Sequence, residues 1–367
     1  MPTFSVFSRS AFRARSYEGE DVLAECDDVD VIPLKPSRSF EFKSKLVGGM
    51  VYRDLTRRAV DFNPGLEPVR LTKDYDLFVL LCSAWWPDLW YANAVQGWQD
   101  RCRTSVCWID ELWTRDVHTL RRWLPILNKF DHVIVGISGT DQAIGDALGR
   151  SCHEMQGGVD TLRFTPYPTC PRRAVDLYSI GRAVQPIHER LLKWAGDGGL
   201  FYIYDSLAKL AVSETLGHAQ HRGLYANIAK RSRLFAVAPA KVDSPVETQG
   251  QVAVGSRFFE GAAAGAALIG QAPDCEAFRR HFDWPDAVVG IRPDGSDAVE
   301  VISKLFAEPE RLLAIGARNA AESLRRHDWV YRWKEVLRLA GLTPRPAMGA
   351  REKRLGELAE EAMSHVR

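Results

Sequence analysis

Fifteen residues, Gly255-Ser256-Arg257-Phe258-Phe259-Glu260-Gly261-Ala262-Ala263-Ala264-Gly265-Ala266-Ala267-Leu268-Ile269, constrain this chain more than any other stretch. They read as a loop, a short helix of small residues and a buried strand. Glycine inside a helix costs roughly 1 kcal/mol relative to alanine. A helix so rich in it is used where the backbone must come close to something, either a neighbouring sheet or a ligand at the helix start. If the helix begins near Arg257, its first N–H groups and its dipole favour an anion there, and Arg257 adds a cation suited to phosphate. Helical side chains lean back toward the N-terminus, so Glu260, about one turn on, reaches the same place. A carboxylate there suits the diol of a ribose better than a phosphate. The same residues also read as a tightly packed core helix whose glutamate is stabilised by the dipole.

The length of 367 residues points to two domains, and 46% hydrophobic residues suffice for two cores. Lys+Arg 48 against Asp+Glu 47 leave a formal charge of +1, so no general electrostatic pull toward nucleic acid or membrane is expected. No apolar run is long enough to span a bilayer, and the start Met1-Pro2-Thr3-Phe4-Ser5 lacks the basic flank and apolar core of a signal peptide. The seven cysteines are odd in number, scattered, and form no Cys-x-x-Cys pair. Reduced thiols and a cytoplasmic location are the expectation.

Along the chain, strands are expected at 3–7, 28–34, 76–81, 105–109 and 132–135. Helices are expected from about 19, over 46–58, 88–101 and 116–128, and after Ser138-Gly139-Thr140. The apolar run 76–81 has the length of a parallel strand buried on both faces. Strands and helices alternating at this spacing argue a doubly wound α/β domain. Pro166, Pro168 and Pro171 mark a linker. A second series follows: strand 174–182, helix 186–195, strand 200–204, helix 225–230, strand 234–238, a polar loop 240–254 and the opening stretch. The tail 351–366 alternates charge at helical spacing, as a surface helix does.

The segment from Ser256 to Gly265 resembles the nucleotide-binding signature of GT-B glycosyltransferases, and within them the CgeB-like group related to glycosyltransferase family 4. The run 297–312 is similar to that group's paired helices, and His327-Asp328-Trp329 with Arg332-Trp333 to its closing aromatic motif. Residues 158–166 resemble the segment that closes the first GT-B domain. The resemblance implies two doubly wound Rossmann-like domains facing a central cleft. It divides the chain into an acceptor-side domain over 1–170, a nucleotide-sugar domain over 171–340 and a C-terminal helix over 341–367 of the kind that crosses back to the first domain. It implies transfer of a sugar from a UDP-, GDP- or dTDP-linked donor to a hydroxyl of a glycan, lipid-linked or small-molecule acceptor, with no cofactor and no metal.

Ligands of open α/β sheets sit beyond the carboxyl ends of the strands. On that rule Gly181, Arg182, Gly255, Ser256, Arg257 and Glu260 are candidates to hold the donor. Tyr225 resembles a family position near the donor, but reads rather as a core tyrosine. In the first domain Asp110 and Glu111 end a strand, and Asp110 is the leading candidate for the base that takes the acceptor proton, with Glu111 second. A helix cap or an ion pair is the alternative for both. Seven of the eleven tryptophans lie between Trp85 and Trp123. Trp85, Trp86 and Trp90 follow a strand, where an acceptor would dock, while Trp98, Trp108 and Trp123 read as core. His218 and His221 lack further metal ligands, and Asp28-Val29-Asp30 sits at the wrong end of a strand for a site. The pattern departs from the family at one position. The first of the two family 4 glutamates would fall at Val252, so retaining chemistry loses a residue and inverting transfer with a base such as Asp110 gains ground. A protein that binds nucleotide sugars or glycans without turnover, and a nucleotide-sugar epimerase, are the rival readings.

Overall fold

The computed structural model of the chain describes residues 2–6, 14–43, 45–46, 61–84, 88–205 and 217–366. Trp85, Trp86 and all but the first residue of the helix expected over 46–58 lie outside the described residues. The chain forms two compact units, Met1–Gly157 with Arg332–Arg345 and Gly158–Tyr331 with Pro346–Arg367.

In the first unit β1 (Pro2–Val6) precedes α1 (Ala14–Cys26) and pairs in parallel with β2 (Asp30–Leu34). A parallel sheet of β3 (Tyr75–Ala84), β4 (Cys102–Glu111), β5 (His132–Val135) and β6 (His153–Glu154) runs in that order, with α2 (Thr140–Leu148) between its last two strands in sequence. Leu77, Phe78, Val79 and Leu80 of β3 are all buried, which is why this strand reads as an unbroken apolar run rather than an alternation. Arg332 and Trp333 are fixed within this unit. The Arg332 Nε donates to the Gln156 carbonyl at 2.8 Å, and the Trp333 Nε1 donates to the Gly19 carbonyl at 2.8 Å.

Two long helices expected here are broken. Over 88–101 the chain forms a 3-10 turn Leu89–Ala94, a short strand Val95–Gln96 and a helix Trp98–Arg101. The strand captures backbone groups that a helix would use, by pairing with Val69–Arg70. Over 116–128 helical turns Val117–Leu120 and Leu124–Leu127 flank a 3-10 turn Arg121–Trp123. Pro125 at the start of the later turn lacks the N–H that would continue the earlier one. Trp90, expected at an acceptor site, is instead core. It is fully buried, its Nε1 donates to the Phe62 carbonyl at 2.7 Å, and its ring meets Trp123 edge-on at 5.7 Å.

The second unit contains β7 (Val175–Ile180), α3 (Gln185–Gly196), β8 (Tyr202–Asp205), α4 (His218–Lys230), β9 (Ser232–Val237), α5 (Ser256–Ala263), β10 (Ala267–Gly270) and β11 (Val289–Gly290). It continues with α6 (Ala298–Ala307), α7 (Pro309–Arg326) and α8 (Pro346–Ser364). Its sheet is parallel, in the order β8-β7-β9-β10-β11. One face carries Tyr178, Phe235 and Leu268 against α4 and α5, and the other carries Leu177, Leu234 and Ile269 against α3 and α6. Helices on both faces of a parallel sheet make the unit doubly wound.

Close packing accounts for the small residues of α5. A Cβ at Gly261 would stand 2.7 Å from both Leu268 Cδ2 and Phe235 Cδ1, so the helix lies directly on the sheet. Gly265 turns the chain into β10 at φ +63°, a conformation that L side chains rarely adopt. A Cβ at Gly316 of α7 would meet the Gly265 carbonyl oxygen at 2.4 Å. Arg173, partly buried, finishes the helix end, donating to the carbonyls of Ala264 at 3.1 Å and Gly265 at 2.7 Å. Burial pushes its pKa down to about 10.

The segment after Gly158 is tied to the end of the chain. Asp328, fully buried, accepts from the Thr161 N–H at 3.0 Å, the Thr161 hydroxyl at 2.8 Å and Arg351 of α8 at 2.9 Å. Arg351 also donates to Asp160 at 2.6 Å. The His327-Asp328 part of the closing motif therefore does structural work inside the second unit, and α8 packs on α7 there.

Candidate functional site

The sheet of the second unit has its topological switch between β7 and β9, since the chain leaves β7 for β8 on one side and returns to β9 on the other. Open α/β sheets place ligands in the crevice at that point, beyond the carboxyl ends of the strands. Two segments open it, Gly181-Arg182 after β7 and residues 238–255 after β9. Gly181 turns out of the strand at φ +86°. Arg182, about half exposed, donates to Asp243 Oδ1 at 2.6 Å and to the Ser244 hydroxyl at 3.0 Å. In the same loop Lys241 pairs with Glu247 at 2.8 Å. A cavity lined by Ser179, Arg182, His188, Tyr202 and Ile269 lies at these strand ends. The Tyr202 hydroxyl meets His188 Nδ1 at 2.8 Å, and burial pushes Tyr202 up to about 12.

The 238–255 segment ends at Gly255, the N-cap of α5, with extended ψ of 151° and no side-chain cap on the helix start. Ser256 is the first helical residue and Arg257 the second. One turn in, Glu260 is 1% exposed and surrounded by donors. Its Oε1 accepts from Arg222 of α4. Its Oε2 accepts from the Tyr225 hydroxyl at 2.9 Å and from Arg257 Nη1 at 2.6 Å. Arg222 is 2% exposed and lies over the rings of Phe164 at 4.7 Å and Tyr225 at 5.3 Å. Arg257 is the open member of the group, at 23% exposed. Its Nη1 also donates to the Tyr225 oxygen at 3.3 Å, and it makes no other hydrogen bond among the described residues. Burial works against the charge of Arg257, but Glu260 and Tyr225 outweigh it and hold its pKa above the usual arginine range. Burial raises Tyr225 well above the ordinary tyrosine value, and Glu260 adds to the effect, so its hydroxyl keeps its proton.

The donor-side residues expected from sequence thus fall into two groups. Gly181 and Arg182 stand at the switch point, and Gly255, Ser256 and Arg257 at the start of α5. Glu260 and Tyr225 sit behind Arg257, buried and bonded to protein. Arg222 joins them without a motif to mark it. Its only trace in the sequence is a position three before Tyr225, on the same helical face.

In the first unit Asp110 and Glu111 end β4 as expected. Arg15 Nη1 of α1 donates to both Asp110 oxygens, at 2.9 and 3.3 Å. Glu111 accepts from Trp113 Nε1 at 3.0 Å. Glycines let the backbone close around the pair. A Cβ at Gly157 would meet Arg15 Nη2 at 2.8 Å and Asp110 Oδ1 at 3.0 Å. Asp30, at the amino end of β2, accepts from Tyr75 at 2.9 Å and from Lys73, which holds its carboxyl below the usual range. No group of three or more metal-ligating side chains occurs among the described residues, and no described helix is long and apolar enough to cross a membrane.

Residues 182–338 match the model of the glycosyl transferase-like family. Arg182, Arg222, Tyr225, Arg257 and Glu260 lie inside that span, and Asp110 and Glu111 outside it. Two solved structures resemble the whole chain. One is HepE of Anabaena in complex with UDP-glucose, at 10% identity over 93% of this chain and 98% of that one, with a TM-score of 0.53. The other is an alpha-glucosyltransferase in complex with UDP-glucose and DNA containing an abasic site, at 8% identity over 93% of this chain and 98% of that one, with a TM-score of 0.52. No curated protein matches the sequence. At these identities the likeness is one of fold, and the fold is GT-B, built from mixed α/β units on parallel sheets.

Proposed function

We propose that this protein is a glycosyltransferase that moves a hexose from a nucleoside diphosphate to an acceptor hydroxyl. The observation that carries this reading is Arg257, a guanidinium anchored through Nη1 whose other donors make no hydrogen bond among the described residues, at the uncapped start of α5 and at the carboxyl edge of a parallel sheet. Anchored donors aimed at a developing negative charge stabilise a leaving diphosphate electrostatically. Arg182 supplies a second cation once a diphosphate displaces Asp243, which is an exposed partner and costs little to lose. The family match over this unit, and the UDP-glucose in the two similar structures, support a UDP-linked donor first. Asp110 is the proposed base. A proton arriving from an acceptor competes there with the Arg15 ion pair. The reading needs no metal, because the arginines do the work of neutralising the diphosphate, and activity is expected to survive EDTA.

A thermal-shift panel of UDP, GDP, dTDP, CDP and ADP tests it, since a ligand held only by the folded state raises the melting temperature. One diphosphate is expected to stabilise the wild type but not Arg257→Ala. Arg182→Ala is expected to weaken the same ligand while leaving the unliganded melting point nearly unchanged. If no nucleotide shifts the wild type, the donor site is misassigned. A second reading, binding without turnover, is favoured by Val252 at the place of the first family glutamate and by the cation already seated on Asp110. Donor binding without release of nucleoside diphosphate across a broad acceptor screen would select it.

A further inference from the structure

We propose that Glu260 is a positioning residue for Arg257 rather than a ligand to the donor's ribose, and that Arg222 is its second anchor. The inference rests on the donor site proposed above and assigns different work to its residues. A carboxylate that binds a diol must present a lone pair to the ligand. Glu260 is 1% exposed, and its two oxygens face Arg222 on one side and Arg257 with Tyr225 on the other. What the cluster presents outward is Arg257, held at one nitrogen and stacked over Tyr225 at 5.3 Å. A guanidinium fixed at one nitrogen keeps the other edge of its fork in a set direction, as bidentate recognition of phosphate requires. Arg222 in turn keeps Glu260 from following Arg257 outward, because it grips the opposite oxygen from a different helix.

The two roles differ in what they predict for a probe with no ribose. Isothermal titration of UDP and of inorganic pyrophosphate into wild type, Glu260→Gln, Arg257→Gln and the double variant separates them. Under the positioning role Glu260→Gln weakens UDP and pyrophosphate by the same factor, about tenfold or more, from loss of a charge-assisted anchor. It adds nothing in the Arg257→Gln background, because its effect runs through Arg257. A loss confined to UDP, or losses that add, would return Glu260 to the ribose and overturn the inference. Arg222→Lys is expected to retain pyrophosphate binding better than Arg222→Met, and equal loss in both would remove Arg222 from the scheme. If Glu260→Gln folds poorly, Glu260→Asp, which keeps the charge and shortens the reach to Arg257, takes its place in the same cycle with the partly exposed Arg257. Pyrophosphate binding without UDP binding would sink the nucleotide reading yet still decide the role of Glu260. No binding of either by the wild type would sink both.

Discussion

Tyr225 shows how one buried side chain sets a charge state. It donates to Glu260 at 2.9 Å and accepts from Arg257 at 3.3 Å, so it must keep its proton for the cluster to hold. Folded Tyr225 titrates well above the ordinary value of 10.0, which the unfolded chain retains. Its contribution to stability is therefore whole below about pH 10 and fades as pH climbs through the raised folded value. Tyr225→Phe is expected to cost about 1 kcal/mol at neutral pH, the net worth of a hydrogen bond. It should also flatten the alkaline limb of a plot of stability against pH, read by urea unfolding from about pH 8 to 11, on either side of the unfolded tyrosine value. An unchanged limb would mean that other tyrosines carry the alkaline sensitivity. At this scale the sequence is partly legible. Arg257 and Glu260 announce themselves because they share one helical turn with the small residues. Arg222 and Arg15 do not, because each reaches its carboxylate only through the packing of a separate helix, and no local spacing marks such a partner.

Element by element, legibility follows the number of faces a segment buries. β3 and β9 are buried on both faces and stand out as apolar runs. The stretches 88–101 and 116–128 read as continuous helices because their apolar residues recur at helical spacing. A strand pairing and a proline, the first set by a neighbouring segment rather than by periodicity, interrupt them. The small-residue helix is the reverse case, where composition alone forecasts a close approach and packing supplies it. Gly261→Val is expected to destabilise by about 1–3 kcal/mol, the range for overpacking a tight core, because Leu268 and Phe235 stand where its side chain would go. Gly356 lies on the exposed face of α8, where an added Cβ would meet nothing within 4 Å. Gly356→Ala is therefore expected to stabilise by about 0.5–1 kcal/mol, the propensity gain alone. Chemical denaturation of both variants checks the contrast, and destabilisation by the two alike would refute close packing as the reason for the glycines in α5.

For the whole molecule, the span that looks like a family domain does not coincide with a compact unit of the structure. Residues 182–338 omit β7, which pairs with both β8 and β9 and is therefore an inner strand of the second sheet. Without it two strands lose their backbone partners, and buried N–H and C=O groups left unpaired are strongly disfavoured. The span also omits Asp160, Thr161 and Arg351, which form the cluster around the fully buried Asp328 that it retains. It includes residues 332–338 on the other hand, where the contacts of Arg332 to Gln156 and of Trp333 to Gly19 belong to the first unit. Removing one partner of a buried ion pair costs about 3–5 kcal/mol, a large share of the roughly 5–15 kcal/mol by which a domain is stable. A fragment of residues 182–338 is thus expected to show no cooperative unfolding by circular dichroism. A fragment of 158–367, which restores β7 and α8, is expected to melt cooperatively, and Arg351→Ala within it to lower the melting temperature by several degrees at least. Cooperative melting of the shorter fragment would show that neither the inner strand nor the terminal helix is needed, and that the Asp328 cluster has been overvalued.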